Sequence, residues 1–347
     1  MAGIVDVART SLLIAAAVAL LGWLGSGSGP VNGDAAVYLW QASNEVFLER
    51  TVHLGYIVLI WAIGPDASDL LTCVSAAGLC LGAARWRQSW VAALIVGAAV
   101  LPLASFAEVD VPWACAVSWI LASKRRWVAA GWAAVAMSLS PLTLLALPWV
   151  LTQRRDGWIL ASSLFSVWVL TVVGSGDWWI GGRGVLHGPP LLPGRTAESW
   201  LLHAPWLALP LAWSRALPPQ ILAMLPLLLA PPDVGGWLIG ALCLGGLASE
   251  STPQRSTAAA VLLATCAWGL FLRHEALHQT RTENAQIAAI VEQMGPTDGL
   301  VSSWSVGVRA SIRAGQGPYG LQWRKPNAPW RGPPPAGQVY RMPTQAD

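Results

Sequence analysis

Charge is scarce in this chain. Only 11% of its 347 residues are charged, the formal net charge is +3, and lysine occurs only at Lys124 and Lys325. So small an excess of positive charge gives no indication of a nucleic-acid partner. The charged fraction is also less than half of the roughly 25% that is usual in a soluble domain. Together with 54% hydrophobic residues, this scarcity predicts a polytopic membrane protein.

Cysteine is also rare, whereas tryptophan is abundant. The five cysteines stand in apolar runs without the spacing of a metal or disulfide motif, so we interpret them as small packing residues. The 22 tryptophans far outnumber the 4 tyrosines and 4 phenylalanines. Much of this tryptophan lies near the ends of apolar segments, as the interfacial belts of membrane proteins require.

The basic residues that flank the apolar segments predict a topology. Arg9 precedes the first segment, residues 11–24, and places the amino terminus in the cytoplasm. A cleaved signal peptide and an uncleaved signal anchor both fit this segment, and we favour the anchor because the later segments need a first crossing. Three more crossings then keep the next basic clusters inside. These crossings are residues 70–84, 91–107 and 111–123.

The same rule predicts a helical hairpin over residues 127–151. Basic residues flank this apolar run on both sides, with Lys124 before it and Arg154 after it, so a single crossing would place one cluster outside. Pro141 disfavours helix at Ser140 and lacks a backbone N–H donor. We therefore predict two short helices that meet near Ser140 and keep both clusters inside.

Five further apolar runs complete the predicted membrane domain. They are residues 158–173, 200–213, 221–230, 237–247 and 257–272. The total is about eleven transmembrane helices, within a range of roughly nine to thirteen, because several runs are shorter than the ~20 residues of an untilted span. The predicted fold is thus an all-α polytopic membrane protein.

One apolar stretch does not fit as a crossing. Residues 51–64 are too short to span comfortably, and counting them would turn every later basic cluster outward. We therefore predict an interfacial helix in the first outside loop, with Tyr56 and Trp61 as its anchors.

The composition changes after Arg273, where charge rises and the apolar runs end. Apolar residues at helical spacing predict a helix over residues 283–294, which Thr282 would cap. A strand over residues 300–304 follows, and the stretch from residue 316 onward has linker composition. We divide the chain into a transmembrane domain, residues 1–272, and a small extracytoplasmic α/β region with a Pro-rich tail, residues 273–347.

Carboxylates are concentrated on the predicted outer face. Asp34 follows the first crossing in Gly33-Asp34-Ala-Ala-Val-Tyr38, and Glu108-Val-Asp110 follows the third. Acidic groups at the edge of hydrocarbon are costly to place, so they indicate a functional site. The structural alternatives are an Asx-turn at Asp34 and the wet tip of a helical hairpin at the other pair. If that pair lies in an extended loop, both side chains face the same way.

Groups able to bind phosphate also occur in the predicted outside loops. Arg183 lies among glycines, which would let a phosphate approach its guanidinium closely, although a solvated loop explains it nearly as well. His53 and His187 are further candidates. His274 and His278 have i, i+4 spacing, but without a His-Glu-x-x-His sequence we interpret them as an interfacial helix end rather than a metal pair.

The order of these features resembles the GT-C superfamily of glycosyltransferases, which use polyprenyl-phosphate sugars, and in particular its protein mannosyltransferase and aminoarabinose transferase branch. Asp34-Ala-Ala-Val-Tyr38 resembles the Asp and Tyr of that branch's first outside loop. His53-Leu-Gly-Tyr56 resembles its His-Pro-Pro-Leu-Tyr stretch without the prolines.

Three later elements extend the resemblance. Ile63-Gly-Pro-Asp66 is similar to the Phe-Gly-Asp turn before the second span. Glu108-Val-Asp110 corresponds to the second acidic loop, and Ser140-Pro141 corresponds to the break in the paired short helices. At Asp34 the chain carries one acidic residue where many relatives have an adjacent acidic pair.

The resemblance implies transfer of a sugar from a lipid-linked donor at the outer face of the plasma membrane. The implied catalytic residues are Asp34, Glu108 and Asp110, with Asp34 as the base. The implied donor-binding residues are His53, Tyr56, Arg183 and His187. The cofactor stays open, with Mg²⁺ or Mn²⁺ as the candidate. The expected partners are the polyprenyl-phosphate sugar, membrane lipid and other membrane proteins.

Two other function classes compete with this interpretation. A non-catalytic membrane subunit could keep the same fold as a scaffold in a larger complex. A transporter is disfavoured, because transporters place charges at mid-membrane on broken helices, whereas the carboxylates here cluster at one predicted surface.

Overall fold

A computed structural model describes the following parts of the chain: residues 2–30, 33–46, 53–140, 143–154, 238–243, 246, 255–318, 320–326, 328–330 and 334–342. The protein is mostly helical with a small parallel sheet. Helices α1 to α8 span Ala2–Gly25, Gly33–Ser43, Leu54–Ile63, Ser68–Arg87, Trp90–Val100, Asp110–Ala122, Arg126–Leu139 and Thr143–Gln153. Helices α9 and α10 span Arg255–Gln293 and Trp304–Arg313, and strands β1 to β3 span Gly299–Val301, Gln322–Arg324 and Val339–Arg341.

Helix α4 is the centre of the helix bundle and packs against α1, α5 and α6. Small residues allow these helices to approach each other closely. A Cβ placed on Gly82 would lie 2.1 Å from Ser118 Oγ of α6, and one on Gly22 of α1 would lie 2.7 Å from the Ala104 carbonyl oxygen. Such close backbone approach is how helices associate where burial of apolar surface gives no net gain, as in lipid.

The predicted hairpin is confirmed, since α7 ends at Leu139 and α8 begins at Thr143. The Thr143 hydroxyl donates to the Ser140 carbonyl oxygen at 2.7 Å and accepts from Trp113 Nε1 of α6 at 2.8 Å. These bonds replace backbone bonds that the break leaves unmade. After α8, Arg154 Nη1 donates to the carbonyl oxygens of Ile120 and Ser123, both at 2.6 Å. The hairpin therefore returns to the end of the bundle from which α7 started.

The bundle has two chemically different ends. At one end, Arg87 Nη2 donates to Gln153 Oε1 at 3.3 Å, close to Arg154 and Lys124. We call this the basic end. At the other end, Asp69 in the first turn of α4 accepts from the Gly27 N–H at 2.8 Å. We call this the acidic end, because Glu108 and Asp110 lie there too.

Two helices are long and apolar enough to cross a membrane within the described residues: Asp6–Gly25 in α1, and Pro65–Arg87, which includes α4. The prediction of about eleven crossings is therefore not confirmed. Helices α5 and α6 have only 11 and 13 residues. Helix α5 ends early because Pro102 supplies no N–H to continue the helical ladder. The predicted crossings at 158–173, 200–213 and 221–230 lie outside the described residues.

The predicted helix of the first loop is α3. Its Trp61 is 48% exposed, as an interfacial anchor requires, but Tyr56 is fully buried, so the prediction of Tyr56 as a second anchor is wrong. Tyr56 faces inward together with Ile57 and Ile60, because α3 packs against α2 and α7. A short 3₁₀ turn, Pro65–Ala67, connects α3 to α4.

The carboxyl-terminal region differs from the prediction in three places. The predicted helix at 283–294 is the end of the 39-residue α9, so Thr282 lies within a helix and does not cap one. The predicted strand exists as β1, but α10 already begins at Trp304 because Ser303 caps it. The stretch from residue 316 onward is not only linker, since it contains β2 and β3. The division at residues 272 and 273 falls within α9 and stays a prediction.

The three strands form a parallel sheet in the order β2-β1-β3, with Leu300 beside Trp323 and Tyr340. A small core holds this sheet against α9 and α10. Its buried members are Ile287, Leu300, Val306, Ala310, Leu321 and Met342. The sheet thus has an apolar core separate from that of the bundle.

Helix α9 lies along the outer part of α1 and the loop after it. Gly269 packs on the Ala98 backbone of α5. The residues that follow at helical spacing contact α1 or its loop: Arg273 donates to the Leu21 carbonyl, Leu277 lies near Gly25, Arg281 donates to Ser28 Oγ, and Asn284 donates to the Ser28 carbonyl. This stripe places the sheet at the acidic end.

Candidate functional site

The buried side chain of Tyr56 lies within the electrostatic reach of three carboxylates of the acidic end. Burial raises the pKa of Tyr56 well above its ordinary value, and the negative charges of Glu108, Asp69 and Asp110 raise it further. An interaction with the Thr72 side chain lowers this pKa. That contact lacks the geometry of a normal hydrogen bond, and the Tyr56 hydroxyl makes none with any residue that the structure describes.

The rings of Tyr38, His53 and Tyr56 form an aromatic group next to these carboxylates. The Tyr38 ring centroid lies 5.2 Å from that of His53 and 6.0 Å from that of Tyr56, both edge-to-face. His53 Nδ1 donates to the Leu139 carbonyl oxygen at 2.7 Å. A carbonyl only accepts, so this bond fixes the ring orientation and leaves Nε2 as the basic nitrogen of the neutral ring.

Glu108 and Asp110 are buried rather than wet, with only 7% and 5% of their surfaces exposed. The alternative of a solvated hairpin tip is therefore wrong. The expected extended loop is also absent there, because Val109 has helical angles of φ −68° and ψ −30°, and Asp110 is the first residue of α6. A carboxylate at this position is stabilised by the helix dipole. The Glu108 N–H donates to Thr72 Oγ1 at 3.4 Å.

Asp34 lies in the first turn of α2 and is exposed. Tyr38 follows it by four residues, so the two side chains share one face of the helix. This spacing connects Asp34 to the aromatic group through α2. Helix α2 packs against α3 and, on another side, against α10.

Two of the sequence-predicted residues, Arg183 and His187, lie outside the described residues. The structure brings the other five to the acidic end: Asp34, His53, Tyr56, Glu108 and Asp110. The sequence analysis missed Asp69 and Thr72. Asp69 opens α4 as an ordinary first-turn acid would, and only its position after the Ile63-Gly-Pro-Asp66 turn could have identified it.

Few side chains in the described part of the chain are placed to ligate a metal ion. Within the described ranges, no three His, Cys, Asp or Glu side chains are grouped so that they could hold a metal. His274 and His278 stand on α9 with ring centroids 6.5 Å apart, and both are exposed. Mg²⁺ or Mn²⁺ would need further oxygen ligands beside Glu108 and Asp110.

No family model, curated protein or solved structure matches the chain.

Proposed function

We propose that this protein is a membrane glycosyltransferase that moves a sugar from a polyprenyl-phosphate donor to a lipid, glycan or protein acceptor at the outer face of the plasma membrane. The observation that carries this proposal is the group of three carboxylates around the buried hydroxyl of Tyr56, beside Tyr38 and His53. The residues come from four separate segments. All of them except Asp69 are among those that the resemblance to GT-C transferases selects.

The carboxylates and rings have distinct roles in this reaction. Asp34 takes the proton of the acceptor hydroxyl as the hydroxyl oxygen bonds to the anomeric carbon of the sugar. The bond from that carbon to the phosphate oxygen breaks, and the polyprenyl phosphate leaves with the bonding electrons. Arg183, His187 and His53, once its Nε2 carries a proton, donate hydrogen bonds to the departing phosphate. Glu108 and Asp110 orient the acceptor by accepting hydrogen bonds from its hydroxyl groups.

The Tyr56 hydroxyl supports a polar ligand at this place. It interacts with Thr72 but makes no hydrogen bond of normal geometry among the described residues, and a buried donor left without such a bond costs up to about 1–3 kcal/mol. A sugar oxygen next to Tyr56 would offset that cost in the bound state. Because its pKa is raised, Tyr56 is protonated at neutral pH and can donate its O–H to that oxygen.

The dimensions of the bundle suit a lipid-linked donor. Helix α4, with 20 residues, is about 30 Å long, which matches the hydrocarbon thickness of a bilayer. Exposed apolar side chains of α1, such as Leu13, Leu20 and Trp23, would face lipid. A donor whose tail stays in the bilayer would then present its phosphate and sugar at the acidic end. The proposed localisation has the amino terminus in the cytoplasm and the carboxyl terminus outside.

The test is sugar transfer in membranes that contain the full chain and a labelled polyprenyl-phosphate sugar. Asp34→Asn removes the base without changing its shape, and we expect transfer to fall by about 10²–10⁴-fold. Glu45→Gln is the matched control, because Glu45 is an exposed acid in the same loop. Transfer by Asp34→Asn equal to that by Glu45→Gln would disprove the catalytic assignment.

The same assay separates the enzyme from the scaffold alternative. A scaffold subunit would give no transfer in the wild type with any donor and would co-purify in fixed ratio with other membrane proteins. Wild-type transfer that depends on Asp34 excludes that alternative.

A further inference from the structure

A cavity of about 490 Å³ lies between the loop after α1, the start of α2, and helices α9 and α10. Its size falls within the range of small-molecule sites, roughly 300–1,000 Å³. Gly27 to Pro30 form one wall with their backbone, and Ala36 of α2 forms the next. The cavity therefore adjoins the helical turn that carries Asp34, since Pro30 and Ala36 lie on either side of it in sequence.

The lining of the cavity combines apolar and cationic residues. Ala288 and Ile312 provide apolar surface, together with Ala36. Arg309 and Arg313 stand one turn apart on the same face of α10 and both line the cavity. Such a combination suits a ligand that has a negative group and an apolar part.

Arg309 and Arg313 have different roles. Arg309 is only 4% exposed; it pairs with Glu283, donates to Asn284 Oδ1 at 3.0 Å and donates to the Pro30 carbonyl oxygen at 3.4 Å. Its charge is balanced by Glu283, and its bonds hold the loop in place. Arg313 is exposed and pairs with no carboxylate among the described residues. Among the described residues, Arg313 is thus the cavity guanidinium whose charge no carboxylate balances.

We propose that this cavity binds the acceptor of the transfer reaction through a phosphate or carboxylate group on that acceptor. The proposal rests on the proposed function, because it assigns the cavity to the substrate of Asp34. The anion binds Arg313, and the apolar face of the ligand lies against Ala36 and Ile312. The acceptor hydroxyl then reaches the first turn of α2 without contact with the donor lipid.

The experiment measures binding directly and needs no transfer activity. Purified full-length protein in neutral detergent is titrated by calorimetry with glucose 1-phosphate, glucuronate and, as the uncharged reference, glucose. We expect at least one of the two anions to bind and glucose not to bind. Arg313→Gln should weaken that binding at least tenfold. Arg341→Gln, which changes an exposed arginine that does not line the cavity, should leave it unchanged.

Three results would overturn the proposal. The first is no binding of either anion to the wild type. The second is equal binding by the Arg313→Gln and Arg341→Gln variants when thermal unfolding proves both folded. The third is displacement of the bound anion by farnesyl phosphate with higher affinity, which would assign the cavity to the donor's phosphate. Failure of the transferase itself is seen separately, as wild-type membranes without transfer.

Discussion

The acidic and basic ends of the bundle use their charged residues differently. At the basic end, Arg154 binds two helix carbonyls, and the Arg87 guanidinium lies 3.9 Å from the centroid of the Trp86 ring. Each contact there completes a helix end or covers an aromatic face. At the acidic end, Glu108 and Asp110 are buried and direct their charge toward Tyr56.

The charged residues of the basic end have a structural role, whereas those of the acidic end are suited to a chemical role. Arginines at the ends of helices offset orphan carbonyls and the helix dipole, and they need no ligand to do so. Buried carboxylates beside a tyrosine with a raised pKa raise the free energy of the unliganded fold, so they are typical of sites that bind or transform a molecule. The acidic end is therefore the place to test for chemistry.

The largest expected effect is on the chemistry at the acidic end. Glu108→Gln keeps the shape of the side chain but removes its charge, and we expect sugar transfer to fall by about 10²–10³-fold. Arg125→Gln, an exposed residue of the basic end, is the control and should transfer at the wild-type rate. Equal losses in the two variants, measured in the same membranes, would remove the distinction between the ends.

The second effect is on stability at the basic end. Arg154→Ala removes the bonds to the Ile120 and Ser123 carbonyl oxygens, and we expect the free energy of unfolding to fall by about 1.5–3 kcal/mol. Thermal unfolding in detergent measures this change, with Arg125→Ala as the exposed comparison. An unchanged midpoint for Arg154→Ala would mean that these bonds have no structural role.

The third effect concerns the packing that holds both ends in place. Gly82→Ala puts a methyl group 2.1 Å from Ser118 Oγ, so α4 and α6 must separate at a cost of about 1–3 kcal/mol. Gly131→Ala, with nothing within 4 Å, should instead stabilise α7 by up to about 1 kcal/mol. Adding Ser118→Ala to Gly82→Ala should recover part of the loss, and no recovery would refute this account of the contact.

The smallest effect is seen at alkaline pH. The pKa of Tyr56 is higher in the folded protein than its ordinary value of 10.0, so its contribution to stability is complete below about pH 10 and is lost as pH rises toward the folded value. Tyr56→Phe should therefore lose less stability between pH 9 and 11 than the wild type.

A matched tyrosine sharpens the alkaline test. Tyr340 lies in β3, away from the three carboxylates, and its hydroxyl donates to the Gln293 carbonyl oxygen at 3.0 Å. Tyr340→Phe is measured over the same pH range as the variant that also loses a tyrosine hydroxyl. If Tyr56→Phe shows the same dependence on pH as the wild type, burial and the carboxylates do not raise the pKa of Tyr56.

The sequence predicts the bundle where helix ends have chemical markers. Pro141 predicted the break between α7 and α8, and basic residues predicted that the hairpin returns to its starting end. Helix α9 was missed as one element because the fall in hydrophobicity at Arg273 resembles the end of a helix. A helix that leaves an apolar environment can continue, since its hydrogen bonds are internal.

The candidate site was predictable in its members but not in its geometry. Asp34, Glu108 and Asp110 were identified because acids are costly in apolar segments. Their burial and the central position of Tyr56 depend on how α3 packs against α2 and α7, which no local pattern encodes. Asp69 was missed because a first-turn acid is normal in any helix. Strands β2 and β3 were missed because each has only 3 residues among Gly and Pro.

The stripe on α9 has one more consequence, which concerns register. Arg273, Leu277, Arg281 and Asn284 reach α1 and its loop only because they repeat at three to four residues along one face. Each residue inserted into α9 would rotate the rest of the helix by about 100° and advance it by about 1.5 Å. A single inserted residue would therefore break, at the same time, all the contacts of the stripe residues that follow it. The contacts of α9 therefore fix the rotation of the sheet relative to the acidic end.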